Sequence, residues 1–266
     1  MLTGARPMKL LIAVAAAASF ASAAAAQDLE ICVEGAYPPF SQMNDSGEIE
    51  GFDIDIAQAL CDEMGASCEL VVTEWDAIIP SLEEDKCDAI IASMSITEER
   101  MQRIDFSGKY QQTPFFFVAE EGADLEATNE GLAGLTVCVQ RGTIHQDLIE
   151  AKFPDADLAL YPTQDEVYLD MTAGRCDAMM ADSVAVQYGF LDTPEGEGFA
   201  FFGPDQTDPA IHGQGAGVAV RKGETTLADR FSDAIRSIRE NGVYADINDR
   251  YFGFDVYGAD PTDVQG

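Results

Sequence analysis

Short apolar runs alternate with amphipathic segments along most of the chain. Leu29–Val33, Glu69–Thr73 and Ala89–Ala92 read as strands, each closed by polar, Gly or Pro positions. Between the first two, Phe52, Ile56, Leu60 and Met64 recur at fourfold spacing, the stripe of a helix capped by Asp53 and ending near Gly65. Trp75 leads into a second helix through Ile78, Ile79 and Leu82. The alternation restarts after Gln111-Gln112-Thr113-Pro114, with strands at Leu135–Val139, Leu158–Tyr161 and Ala178–Ala181. Helices are expected after Gly142, from Gln164 to about Ala173, and over Leu227–Asn241 and Val243–Tyr251. The order helix, basic residue, Cys-Asp-Ala, apolar strand, polar end occurs twice, around residues 76–95 and 165–183. Two related α/β lobes account for it, each a mostly parallel sheet with helices on both faces. The Gly-rich Gly213–Val218 suggests a second crossing between them.

The first residues stand outside this pattern. Arg6 and Lys9 precede an apolar stretch from Leu10 to about Phe20, and Ala24-Ala25-Ala26 follow before Gln27, the layout of a secretory signal cleaved after residue 26. A soluble exported protein without membrane insertion follows. Losing those two basic residues takes the net charge from −33 to −35. So acidic a chain lacks the basic face that nucleic acid or anionic lipid requires. It suits a salty habitat and a cationic ligand.

Export permits disulfides, and all six cysteines lie beyond the signal. Cys61 and Cys68 flank the expected helix end and suggest a local bridge. Cys32 and Cys138 each sit in a strand that opens a unit, while Cys87 and Cys176 each precede Asp-Ala. Cys32–Cys87 and Cys138–Cys176, one pair per lobe, are the expectation; buried free thiols are the alternative. With no C-x-x-C and two histidines, a metal site is not expected, and no cofactor is implied.

Candidate chemistry gathers where strands end. Ile90-Ile91-Ala92-Ser93-Met94-Ser95-Ile96-Thr97 passes from an apolar run to small hydroxyl residues and reaches Arg100, a setting for a small carboxylate. Glu34 and Tyr37 stand on the loop after the first strand, held by Pro38 and Pro39. Thr143 and Ile144 open a helix whose free amides suit an anion. Asp182 ends a strand of the second unit. His145 reads as a polar helix residue rather than a catalytic base.

These residues resemble the periplasmic amino-acid-binding proteins of ABC importers (solute-binding protein family 3), in the branch taking histidine, lysine, arginine, ornithine and opines. The matching stretches are Gly35–Phe40, Gly51-Phe52-Asp53-Ile54-Asp55, Ile79-Pro80-Ser81-Leu82, Ser93–Thr97 with Arg100, and Tyr251–Tyr257. The Cys61–Cys68 spacing also resembles a disulfide of the histidine-binding members. The resemblance implies a type II periplasmic-binding-protein fold, with two lobes joined by two strands and the ligand in the interlobe cleft. Lobe 1 would comprise residues 27–112 and 205–260, lobe 2 residues 113–204, with a loose tail at 261–266. It further implies that Arg100 holds the ligand α-carboxylate, that Ser93, Ser95 and the backbone at Thr143 and Ile144 add hydrogen bonds, and that Asp182 takes the α-ammonium. Tyr37 and Trp75 would sandwich the side chain, and Glu34 would meet a cationic head. Partners would be a small-molecule amino acid and, transiently, an inner-membrane ABC permease, the protein itself being a monomer. Ala92 and Ile144 replace hydroxyl residues of the histidine type, and Trp75 is closer to opine and arginine binders. The competing class is a secreted dehydratase on the same fold.

Overall fold

The computed structural model describes Met1 and residues 28–258. Residues 2–26 of the expected signal and the expected tail (261–266) lie outside the described residues. β1 (Asp28–Val33) runs into a small antiparallel sheet of β2 (Ala36–Tyr37), β3 (Ser41–Met43) and β4 (Ile49–Glu50). Then come α1 (Phe52–Met64), β5 (Ser67–Val72), α2 (Trp75–Glu83), β6 (Ala89–Ile90) and β7 (Ile104–Gln111). Residues 112–114 carry the chain into a second sheet, built from β8 (Phe115–Glu120), β9 (Thr136–Gln140), β10 (Asp157–Tyr161), β11 (Ala178–Asp182) and β12 (Phe199–Phe202). Among its strands lie α3 (Ile144–Lys152), α4 (Gln164–Thr172) and α5 (Ser183–Val186). After α6 (Pro209–His212) the chain returns to the first sheet as β13 (Ala216–Arg221), followed by α7 (Thr225–Glu240) and α8 (Val243–Tyr251). Ile211 packs on the core of the second sheet, and residues 213–215 then lead into β13 of the first.

The sheets have the orders β5-β1-β6-β13-β7 and β10-β9-β11-β8-β12. In both, the first two pairings are parallel and the last two antiparallel, so four of the five strands run in one direction and each sheet is mostly parallel, with a single reversed strand, β13 in the first and β8 in the second. The antiparallel pairings belong to strands beside the crossings, where the chain enters each sheet from the other lobe instead of through a right-handed βαβ unit. Apolar side chains fill both faces of each sheet. Ile31, Phe52, Ile56, Leu60 and Phe231 pack under α1, α7 and α8, with Ile78, Leu82, Ile90 and Met94 opposite. The second sheet has its own two clusters, around Phe117 and Leu148 and around Val167 and Phe190.

The repeated Cys-Asp-Ala has one geometry in both lobes. Cys32 lies opposite Ile90, three residues beyond Cys87, and Cys138 lies opposite Met179, three beyond Cys176. The structure bonds Cys32 to Cys87, Cys138 to Cys176 and Cys61 to Cys68. The aspartate locks the same junction: Asp88 accepts from Glu30 N at 3.0 Å and Asp177 from Thr136 N at 2.7 Å.

Helix α1 corrects one expectation. Its N-cap is Gly51, whose φ of 136° and close approach to Phe40 O exclude a side chain. Asp53 sits inside the first turn, fully buried, where its carboxylate accepts from Ser93 Oγ and Tyr110 OH, each at 2.9 Å.

Candidate functional site

Residues at the carboxyl ends of β1, β6, β9 and β11, with the starts of α2 and α3, line one cavity of about 330 Å³ empty volume. All nine residues singled out from the sequence are in its wall: Glu34, Tyr37, Trp75, Ser93, Ser95 and Arg100 from the first lobe, Thr143, Ile144 and Asp182 from the second. Ala92, Gln140 and His145 complete it.

One end is cationic. Arg100 starts a single 3₁₀ turn (Arg100–Gln102), where Thr97 Oγ1 accepts from its backbone N–H. Its guanidinium donates to Ser95 O at 3.0 Å and, across the cleft, to Gly142 O at 3.4 Å, and lies 5.4 Å from the centre of the Trp75 ring. Burial lowers its pKa to about 10, so it stays charged at neutral pH. Facing it is the N-terminus of α3, where Thr143 caps the helix by accepting from Gln146 N. The helix dipole and first-turn amides add to the positive potential.

A second wall is anionic. Asp182 accepts from Thr113 Oγ1 and from the Tyr37 hydroxyl, both at 2.5 Å, so one carboxylate ties the crossing segment and the first lobe together. Burial raises its pKa and these two bonds oppose the rise. His145 Nε2 stands 3.7 Å away. That ring packs on Phe115, and burial together with the Arg100 charge pushes its pKa down to about 3, so it is neutral. Ser93 adopts a left-handed φ of 49° while its amide donates to Tyr110 OH at 2.7 Å. Its hydroxyl proton is committed to Asp53, so toward a ligand Oγ can only accept, which suits an ammonium better than a carboxylate.

The third feature is Glu34, 4% exposed, which accepts from Gln140 Nε2 of the other lobe at 2.6 Å. Burial, against that bond, pushes its pKa up to about 7, and the nearby acids Asp53, Glu74 and Asp165 act in the same direction. Trp75 Nε1 donates to Gly142 O at 3.1 Å, and Arg141 pairs with Asp76 at the rim at 2.5 Å. The lobes are thus closed on one another.

Gln140, His145 and Thr113 were not singled out. Gln140 shares the position of the others, one step past an apolar run, and that signal could have found it. Thr113 lies in the crossing segment, and His145 looked like an ordinary helix residue.

Two α/β lobes that meet over a cavity of converging charged and aromatic groups are built to hold a small ligand between them. Residues 29–254 match the model of the bacterial extracellular solute-binding proteins, family 3, and the chain belongs to that family. It is 45% identical over 238 residues (89% of this chain, 92% of the relative) to the L-arginine-binding protein of Pseudomonas aeruginosa. It is 37% identical over 257 residues (94% and 99%) to the histidine-binding periplasmic protein of Escherichia coli K12. Among solved structures, a Salmonella typhimurium periplasmic binding protein described for its high arginine specificity matches with a TM-score of 0.79. That match has 29% identity and covers 85% of this chain and all of the other.

Proposed function

We propose that the protein captures a basic amino acid (arginine, lysine, ornithine or histidine) or an opine by lobe closure in the periplasm and delivers it to the permease of an ABC transporter. The observation that carries this reading is the charge pattern of one cavity: a single guanidinium, Arg100, and two carboxylates, the buried Glu34 and the partly buried Asp182. A ligand with one anionic and two cationic groups matches it. In this reading Arg100, Ser95 and the α3 amides at Thr143 and Ile144 hold the α-carboxylate. Asp182 and Ser93 Oγ accept from the α-ammonium, Tyr37 and Trp75 flank the side chain, and Glu34 meets its head. Each charge-assisted hydrogen bond contributes about 1.5–3 kcal/mol. A few of them, less the cost of closing and ordering, reach about −8 to −12 kcal/mol, or micromolar to nanomolar binding.

Calorimetric titration of the ligand-stripped protein with arginine, lysine, ornithine, histidine, octopine, glutamine and glutamate tests it. Micromolar or tighter binding confined to the cationic members is expected; preference for glutamine or glutamate overturns the reading of the cavity. A carboxyl near pH 7 is also what a general acid needs. Turnover of prephenate or arogenate would therefore favour the dehydratase reading.

A further inference from the structure

Gln140 ends β9 with its side chain almost wholly buried, at 2% exposure. Its carboxamide nitrogen carries two protons, and both have acceptors: Glu34 Oε1 at 2.6 Å across the cleft and Pro162 O at 3.3 Å within its own lobe. The Pro162 carbonyl can only accept, so it holds the amide nitrogen on its side and fixes the orientation of the amide. The carbonyl oxygen is then the group that Gln140 can offer a ligand. On the Glu34 side, Oε1 is committed to Gln140, and Oε2 is the oxygen left for a head group. The residue therefore lines the cavity as one of two acceptors brought together only when the lobes meet, one charged and one neutral.

From this we infer that Gln140 is a specificity-determining residue, which sets the cleft toward a planar guanidinium head over a primary ammonium. The inference rests on the basic-ligand reading above. A guanidinium presents five N–H donors in a rigid plane, so two edges can meet Glu34 Oε2 and the Gln140 carbonyl at once while its face lies on an aromatic ring. An ammonium gathers three donors on one atom. It must come within hydrogen-bond reach of both oxygens from a single point, and it reaches Glu34 as well without Gln140. Because the carboxamide belongs to the second lobe and the carboxylate to the first, this discrimination is exerted at closure.

The test is the affinity of wild type, Gln140→Leu and Gln140→Met for arginine and for lysine, by calorimetry, with the thermal midpoint of each ligand-free protein as a check of folding. Leucine conserves the branching and methionine the length, so at least one is expected to keep the strand end packed. Arginine binding is expected to weaken about tenfold or more, and the arginine-to-lysine affinity ratio to fall by about fivefold or more. A smaller change in the ratio, including equal losses for both ligands, overturns the inference and gives Gln140 a purely structural part. A wild type that binds neither ligand instead overturns the reading of the cleft on which the inference rests.

Discussion

The Arg100 guanidinium and the Glu34 carboxyl stand at opposite chemical ends of the cavity and make opposite predictions. Arg100→Ala removes the charge that any α-amino acid needs, so affinity for every ligand should fall by about 100-fold or more, since truncating one partner of a buried charge pair costs about 2–5 kcal/mol. Glu34→Gln keeps the shape and removes the side-chain counter-ion. It should weaken cationic ligands strongly and glutamine little, and an equal loss across the panel in titration would contradict its role. Glu34 also predicts a proton effect. Its pKa near 7 in the closed lobes means it is partly protonated at neutral pH, and a cation against it lowers that pKa. Cation binding to the closed, ligand-free form should therefore release a proton, more at pH 6 than at pH 8.5, with Asp182 acting in the same direction. Titrations in buffers of different ionisation enthalpy read this directly; proton uptake at pH 6 would contradict it. The sequence made these positions legible because each follows a strand's apolar run. It left the direction of the Ser93 proton and the reach of Gln140 hidden, because both depend on groups distant in the chain, Asp53 at 40 residues and Glu34 at 106.

At the scale of elements, the β-α-β alternation was legible where a helix separates parallel strands, as with β1, β5, β9, β10 and β11. The strands beside the crossings, β7, β8, β12 and β13, follow one another without that rhythm, and the sequence does not reveal that they pair antiparallel. Asp53 resembled a cap because a polar residue at a helix start usually is one; burial beneath Ser93 and Tyr110 overrides the propensity. The duplicated Cys-Asp-Ala carried the most structural information per residue, fixing the register of the third strand on the first in each lobe. Loop-closure entropy ranks the bridges. Cys32–Cys87 and Cys138–Cys176, spanning 55 and 38 residues, should each contribute up to about 4 kcal/mol, and Cys61–Cys68, spanning 7, about 2 kcal/mol. Denaturant unfolding of the paired Cys→Ala variants should show the smallest loss for the 61/68 pair; the largest loss there would contradict the ranking.

For the whole molecule, closure is the functional event, and the contacts that favour it come from both lobes. Gln140 meets Glu34, Asp182 meets Tyr37, and Gly142 receives Trp75 and Arg100. A ligand shifts the open–closed equilibrium only by its differential affinity for the closed form, so it has to touch both lobes. The Arg141–Asp76 pair at the rim is exposed and screened by solvent, and cannot drive closure alone. In the proposed reading closure is driven by satisfying Arg100, Asp182 and Glu34 at once, and that claim can be tested by removing ligand charges one at a time. The measurement is calorimetric titration at pH 7 with arginine, with agmatine, which lacks the carboxylate, and with citrulline, which lacks the side-chain cation. Arginine should bind at micromolar concentration or tighter, and each analogue about 100-fold or more weakly, because each leaves one buried protein charge without its partner. Either analogue binding within about threefold of arginine would contradict the account.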